Sequence, residues 1–307
     1  MSLSPAPSDT ADDLESDRTA CVLVFNANDP SGAGGLTGDI SAITSVGAHA
    51  LAVVTGAYAR DTAEILDHHA FDEEAVAEQA RTILEDVPAQ VIKVGFAGSA
   101  ENLSVIAGIA TDYADVPLVA YMPNLSWWSE VQIDLYLDAF RELVLPQTTV
   151  LVGNHSTLCR WLLPDWSSTR NPTPRDIARA ANALGVPYTL VTGIALPEQQ
   201  IENVLASPHS VLYSGRFERF EASFSGAGDT LSGALSALLA TGADLAEAVK
   251  EALAYLDRCL DAGFRPGMGN IIPDRLFWAQ AETDPDGAPD NDGAAPIFDL
   301  PAHDTKH

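Results

Sequence analysis

The sequence is poor in basic residues and has no long apolar run. Only 16 of its 307 residues are Lys or Arg, against 43 Asp or Glu, so the formal net charge is −27. Such a surface repels nucleic acid and anionic lipid. No segment approaches the roughly 18 consecutive apolar residues of a membrane span, and the acidic first twenty residues lack the pattern of a signal peptide. We therefore expect neither a nucleic-acid partner nor a membrane.

Cysteine is also scarce, which excludes several kinds of site. Cys21, Cys159 and Cys259 are odd in number and far apart, so they provide neither a zinc-ligand spacing nor a redox pair, and they are typical of a reducing cytoplasm. His68 and His69 have no third residue at a metal-binding spacing, and we interpret them as a solvated pair. The sequence leaves the metal ligands unknown.

Apolar residues make up 47% of the chain, enough for a large core, and they recur in short β-branched runs that alternate with helical patterns. This alternation predicts an α/β fold with a mostly parallel sheet and helices on both faces. Two acidic tails, 1–19 and 281–307, flank one domain, 20–280. Strands are predicted at 21–25, 49–55, 90–95, 117–121, 149–153 and 187–193, and a hairpin at 211–220 around Ser214-Gly215. Helices are predicted near 34–46, 72–86, 100–114, 129–144, 174–184, 228–241 and 243–262.

A glycine-rich segment, 28–35 (NDPSGAGG), follows the first predicted strand directly. Its small residues let the backbone approach a ligand, and the start of a helix comes next. The segment fits neither the Walker pattern nor the dinucleotide fingerprint. By itself it is either a ligand-binding loop or a glycine-rich turn between a strand and a helix.

A second glycine-rich segment, 225–230 (SGAGDT), opens an apolar helix. Glycines before a helix can present several N–H groups to one point, where the helix dipole also favours negative charge, and this suits a transferring phosphoryl group. Asp229, in the first turn, is placed to accept a proton from a substrate hydroxyl. The alternative is an Asp that only caps its own helix.

These two segments and their order resemble the hydroxymethylpyrimidine/phosphomethylpyrimidine kinase family of thiamine synthesis, within the ribokinase superfamily. The resemblance covers roughly residues 20–280. It is carried by the opening signature at 28–56, VIKVGFAGSAEN at 91–102, LVTGIA at 190–195, SGAGDTLSGALSALLATGADLAEAVKEALAYL at 225–256 and PGMGNIIPDRLFW at 266–278.

The resemblance implies a ribokinase-like fold and a cytoplasmic enzyme that uses ATP and Mg²⁺ to phosphorylate a small-molecule alcohol, then the resulting monophosphate. ATP is expected across the C-terminal ends of the strands and the pyrimidine near the first loop. The oligomeric state stays open, a homodimer included. The resemblance assigns catalysis to Asp229 with Gly226, Ala227 and Gly228, substrate binding to Asp29, Gly32, Asp39, Arg60 and Phe96, and ATP binding to Asn154, Thr192, Gly193, Gly267 and Gly269.

The chain departs from the family pattern near the expected substrate. Arg60 stands where the family has Gln, so a group that only donates hydrogen bonds replaces one that also accepts them. Arg60 either faces the pocket, where it favours a more acidic ligand, or turns to solvent and pairs with Asp61 or Glu64. Phe96 replaces a Met and changes the volume of the pocket.

Three further departures lie after the fourth and fifth strands and at the second loop. The family's Asp-Pro-Val-Met run is replaced by residues 121–124 (YMPN), followed by Trp127-Trp128, an aromatic pair that packs a loop or caps a ligand. Thr157 stands where the superfamily has a Glu that helps to hold magnesium, and His155 is interpreted as a loop residue. Asp229 stands where the family often has Cys, and this favours catalysis.

The sequence thus predicts a kinase for hydroxymethylpyrimidine, its phosphate or a related alcohol such as pyridoxal. The alternative is a catalytically weak paralogue that binds a pyrimidine- or pyridoxal-like ligand. The departures support the alternative, and the intact GAGD segment supports the enzyme.

Overall fold

The computed structural model describes residues 19–279, which form one sheet of nine strands with helices on both sides. The predicted tails therefore lie outside the described residues, apart from Thr19. No helix in the described part of the chain is long and apolar enough to cross a membrane. The strand order is β3-β2-β1-β4-β5-β6-β7-β8-β9. The strands are β1 Cys21–Asn28, β2 His49–Arg60, β3 Ile65–Ala70, β4 Val91–Val94, β5 Leu118–Met122, β6 Val150–Asn154, β7 Tyr188–Leu196, β8 Gln200–Ala206 and β9 Val211–Glu218.

Six neighbouring strands, in the order β2-β1-β4-β5-β6-β7, run parallel to one another. The other three, β3 at one end of the sheet and β8 and β9 at the other, pair antiparallel. The helices are α1 Gly35–Ser45, α2 Glu73–Leu84, α3 Ala100–Asp112, α4 Glu130–Ala139, α5 His155–Leu162, α6 Pro174–Asn182, α7 Ala227–Ala240 and α8 Leu245–Asp261. A π-helical turn, Phe140–Val144, and a 3-10 turn, Leu145–Gln147, continue α4, and Phe277–Ala279 forms a last 3-10 turn.

Alternate residues of the central strands supply two core layers. Val22 and Val24 of β1 pack in the layer that α1, α7 and α8 cover, whereas Leu23 and Phe25 pack in the layer beneath α2 to α6. Both faces are therefore buried, which is why these strands are apolar almost without interruption. The predicted α/β class, the parallel sheet and the helices on both faces are confirmed.

The predicted hairpin around Ser214-Gly215 is wrong. Residues 211–218 form one strand, and the turn lies at 207–210, where the Ser207 N–H donates to the Ser210 carbonyl. Gly215 lies inside the strand, where a Cβ would come within 3 Å of the Tyr213 hydroxyl and the Phe217 ring. Here glycine makes room for aromatic neighbours, not for a turn.

Three elements were not predicted at all: β3, β8 and α5. β3 contains the two histidines, and they differ, since His69 is exposed whereas His68 is half-buried in a cluster of aromatic rings. The interpretation of His68 as solvated is therefore wrong. His155 begins α5, so the expected loop residue is the first residue of a helix.

Candidate active site

The two glycine-rich loops, 190 residues apart in sequence, are in direct contact at the start of α7. Gly226 adopts a left-handed conformation with φ 87°, and a Cβ on it would collide with the Ala33 carbonyl. Gly226 therefore has to be glycine both for its backbone angle and for this close approach. The N–H groups of Ala227 and Gly228 have no acceptor within residues 19–279, so the start of α7 presents unsatisfied donors beside the first loop.

Asp229 lies between these loops and bonds to neither end of its own helix. Its Oδ2 accepts a hydrogen bond from the Gly35 N–H at 2.9 Å, at the start of α1. Its Oδ1 accepts one from Asn26 Nδ2 at 3.0 Å and faces Lys93 Nζ at 3.4 Å. The interpretation of Asp229 as a cap of its own helix is thus not supported. The carboxylate joins the two loops and stays partly open, with a side chain that is 16% exposed.

A fully buried ion pair supports Asp229 from below. Lys93 on β4 approaches both oxygens of Asp39, at 2.6 and 2.7 Å, and both side chains have no exposed surface. Asn26 Nδ2 donates to Asp39 Oδ2 at 2.8 Å, and so links the two carboxylates. Burial raises the pKa of the Asp39 carboxyl to about 7, while the Lys93 ammonium opposes this rise. Asp39 has no exposed surface and is bonded to Lys93 and Asn26, so the expected direct contact of this side chain with the pyrimidine does not fit its position.

Arg275 ties the loops together near the end of the described chain. It is 6% exposed. Its Nε donates to Thr230 Oγ1 at 2.9 Å, and its Nη1 donates to the Gly32 carbonyl at 3.2 Å. Its Nη2 donates to the carbonyls of Ala33 and, more weakly, Gly226. Burial lowers the pKa of the guanidinium, while Asp229 raises it.

Arg60 points into the site and forms an ion pair with Asp29 at 3.1 Å, with side chains that are 9% and 1% exposed. Its Nη2 reaches Ser225 Oγ at 3.4 Å, and its Nε donates to the Asp61 carbonyl at 2.9 Å. The solvent-facing alternative for Arg60 is therefore wrong. Asp29 in turn accepts hydrogen bonds from Ser31 and from the Gly34 N–H, which shapes the first loop.

Phe96 lies at the centre of an aromatic cluster, with a ring that is 1% exposed. Tyr58 stacks on it at 5.5 Å, and Trp127 and Trp128 contact it edge-on at 5.6 and 5.2 Å. Of the two alternatives for the tryptophan pair, packing a loop or capping a ligand, the structure therefore favours packing. Burial lowers the pKa of His68, in the same cluster, to about 4.

The expected ATP-binding residues fall into two groups. Asn154 and Thr192 are paired across β6 and β7, and Gly193 lies against the Asn154 amide, so these three meet at the C-terminal ends of the strands. Gly267 and Gly269 have Thr62 as their nearest neighbour instead. The Gly269 N–H donates to Thr62 Oγ1 at 3.0 Å, which fastens the 267–270 loop to the β2–β3 connection beside Arg60.

Three buried residues of this site, Asn26, Lys93 and Arg275, were missed as site residues. Lys93 and Arg275 do lie in segments that carry the family resemblance. Lys93 gave a usable signal, because it is a charged residue within an otherwise apolar strand and a buried charge needs a partner.

The fold is that of small-molecule kinases. It matches the pyridoxal kinase of Bacillus subtilis, solved as an ADP complex, with a TM-score of 0.77 at 19% identity, over 86% of this chain and 100% of that one. It also matches phosphomethylpyrimidine kinase of Clostridium difficile with a TM-score of 0.62 at 18% identity, over 77% and 98% of the two chains.

The sequence comparisons identify the family. The phosphomethylpyrimidine kinase model matches residues 29–274, so the chain belongs to the phosphomethylpyrimidine kinase family. The chain is 27% identical to hydroxymethylpyrimidine/phosphomethylpyrimidine kinase of Streptomyces coelicolor, over 85% of this chain and 96% of that protein. It is 26% identical to a thiamine biosynthetic bifunctional enzyme of Arabidopsis thaliana, over 80% of this chain and 48% of that protein.

Proposed function

We propose that this chain transfers a phosphoryl group from ATP to the hydroxyl of hydroxymethylpyrimidine and to the phosphate of its monophosphate. The observation that carries the proposal is Asp229, held between the two glycine loops beside unsatisfied N–H groups. Donors of this kind stabilise charge that develops on a phosphoryl group, and a carboxylate beside them can accept the hydroxyl proton.

Each residue of the site then has a chemical task. Among the described residues, Asp229 Oδ2 accepts a hydrogen bond from Gly35 alone, so it keeps a lone pair for the substrate proton. Lys93 and Asn26 hold the other oxygen of this carboxylate and fix its orientation. The N–H groups of Ala227 and Gly228 receive the phosphoryl oxygens, and ATP supplies that group. Catalysis here is mainly placement and charge compensation.

Magnesium is proposed to bind chiefly through phosphate oxygens and water. Within residues 19–279 no three His, Cys, Asp or Glu side chains lie close enough together to hold a metal ion. Mg²⁺ commonly keeps several waters and uses few protein ligands beside substrate phosphates, so the donor set fits an ion that arrives with its nucleotide. The cytoplasmic location is supported by the three free cysteines.

The test is an ADP-release assay with hydroxymethylpyrimidine, its monophosphate and pyridoxal. We expect turnover with the pyrimidines, and Asp229→Asn should lower kcat by roughly 10²–10⁴ with little change in ATP affinity, because the amide cannot accept the proton. Asp115→Asn, at an exposed loop position, is the control. Undiminished turnover in Asp229→Asn would remove the base role. Ligand binding without turnover would establish the non-catalytic paralogue.

A further inference from the structure

Tyr121 stands at the C-terminal end of β5, at the first position of the run where the family pattern has Asp-Pro-Val-Met. Its hydroxyl and ring lie directly against Gly228, since a Cβ on that glycine would collide with both. The phenol therefore reaches the loop that presents the free N–H groups. Gly228 has to be glycine because Tyr121 occupies the adjacent space.

The Tyr121 hydroxyl lies beside the start of α7. Within residues 19–279 it makes no hydrogen bond, and the N–H groups of Ala227 and Gly228 make none either. The Lys93 ammonium lies 5.7 Å from the centre of the Tyr121 ring. The Tyr121 hydroxyl thus lies beside the backbone of Gly228, close to two backbone N–H groups, and a group of donors of this kind suits a phosphoryl group.

The protonation state of the phenol agrees with a donor role. Burial raises the pKa of Tyr121 well above its ordinary value, and the carboxylates of Asp229 and Asp39 raise it further. Tyr121 is therefore neutral and keeps its proton. It does not compete with Asp229 as a base, and it adds no negative charge beside a phosphate.

We propose that the Tyr121 hydroxyl donates a hydrogen bond to the phosphoryl group held at residues 226–228 and thereby stabilises its transfer. In this step, which rests on the proposed function, a bond forms between the acceptor oxygen and phosphorus. The bond from phosphorus to the leaving oxygen of ADP breaks, and the acceptor hydroxyl proton passes to Asp229. Tyr121 loses no proton, so it contributes through the hydrogen bond alone.

The decisive variant is Tyr121→Phe, which keeps the ring against Gly228 and removes only the hydroxyl. Calorimetry would measure the affinity for ADP and Mg²⁺ with and without aluminium fluoride, a mimic of the transferring group that needs no acceptor. Aluminium fluoride should increase the affinity of wild type for ADP, and loss of one positioned donor should make this increase roughly 10- to 100-fold smaller and lower kcat by a similar factor. The affinity for ADP alone should stay unchanged. Tyr188→Phe, at the start of β7 away from these loops, is the control.

Equal tightening in Tyr121→Phe and wild type would overturn the proposal and leave Tyr121 a packing residue, as would the absence of any tightening in wild type. If the effect of fluoride depends on Tyr121 but the protein does not phosphorylate pyrimidines, the role of Tyr121 is supported and the proposed pyrimidine substrates are refuted. If Tyr121→Phe fails to fold, Tyr121→His serves instead, because its ring N–H can still donate and should retain part of the tightening.

Discussion

Replacing Lys93 with Met should strongly destabilise the protein, because Lys93 is a buried cation between two carboxylates. Its Nζ lies 2.6 Å from Asp39 and 3.4 Å from Asp229. Removal of one partner of a buried ion pair leaves an uncompensated charge and typically costs about 3–5 kcal/mol. We expect the loss to approach that amount at pH values at which the unpaired Asp39 would be ionised, and to be smaller at pH 7, where Asp39 can bind a proton. Lys250→Met, which breaks an exposed pair with Glu247, should have little effect, because water and salt screen an exposed ion pair.

The pH dependence of this loss tests the explanation. In the unfolded chain Asp39 titrates near its ordinary value, and folding raises its pKa to about 7. A raised acid pKa means that the folded state binds the proton more tightly, so stability is lost as pH rises towards 7 and the loss levels off above it. Without Lys93 the folded pKa is higher still, so the variant should continue to lose about 1.4 kcal/mol per pH unit between pH 7 and 8.

Urea unfolding followed by circular dichroism from pH 5 to pH 8 measures both effects. The double variant Lys93→Met/Asp39→Leu should recover part of the lost stability, since it removes the buried carboxyl that Lys93 neutralised. A variant as stable as wild type, or one with the same pH dependence above pH 7, would refute the idea that Lys93 compensates Asp39.

Three further substitutions test separate parts of the site. Wild type should lose roughly 1–2 kcal/mol of stability as pH falls from about 6.5 towards 4, since the partly buried His68 imidazole has a lowered pKa, and His68→Phe should not show this loss. The control is His69→Phe, at an exposed position. Equal acid sensitivity in the two variants would contradict the burial argument. Arg60→Gln should bind neutral hydroxymethylpyrimidine about tenfold to a hundredfold more tightly in calorimetry, because Gln can accept from its amino group; equal affinities would restrict Arg60 to its bonds within the protein. Thr157→Glu should lower the Mg²⁺ concentration needed for half-maximal rate, because it adds a carboxylate where Thr has none; an unchanged requirement would show that the missing acid has no part in binding the ion.

Most of the fold follows from the central strands. β1, for example, has seven consecutive buried residues, a pattern that belongs to a strand covered on both sides. The peripheral strands were missed for the opposite reason. β3 and β8 pair antiparallel towards the two ends of the sheet. β3 has no buried residue, and in β8 polar residues stand among the first four, so neither strand has a clear apolar pattern of its own and both depend on their neighbours.

The site was predictable where backbone chemistry dominates. Glycines before a helix imply donors for an anion, and the structure brings both glycine-rich loops together. The charged residues beneath them were harder to assign. The family resemblance assigned Asp39 to the substrate, and only the packing of α1 against the sheet reveals that Asp39 is buried and paired with Lys93. Which polar residues are buried depends on packing, and no local pattern carries that information.

Arg275 shows why the two loops act as one unit. It follows the first loop by more than 240 residues, yet it donates to the Gly32 and Ala33 carbonyls and, on the other side, to Thr230 and Gly226. Lysine could not replace it, because one ammonium cannot span acceptors that a planar guanidinium reaches with three separate nitrogens. Asp229 makes the second connection, through the Gly35 N–H. Because the buried Arg275 and the Asp229 carboxylate both join the two loops, we expect a shift of the second loop to move the first, and the regions proposed for the pyrimidine and for the phosphoryl group to keep their separation.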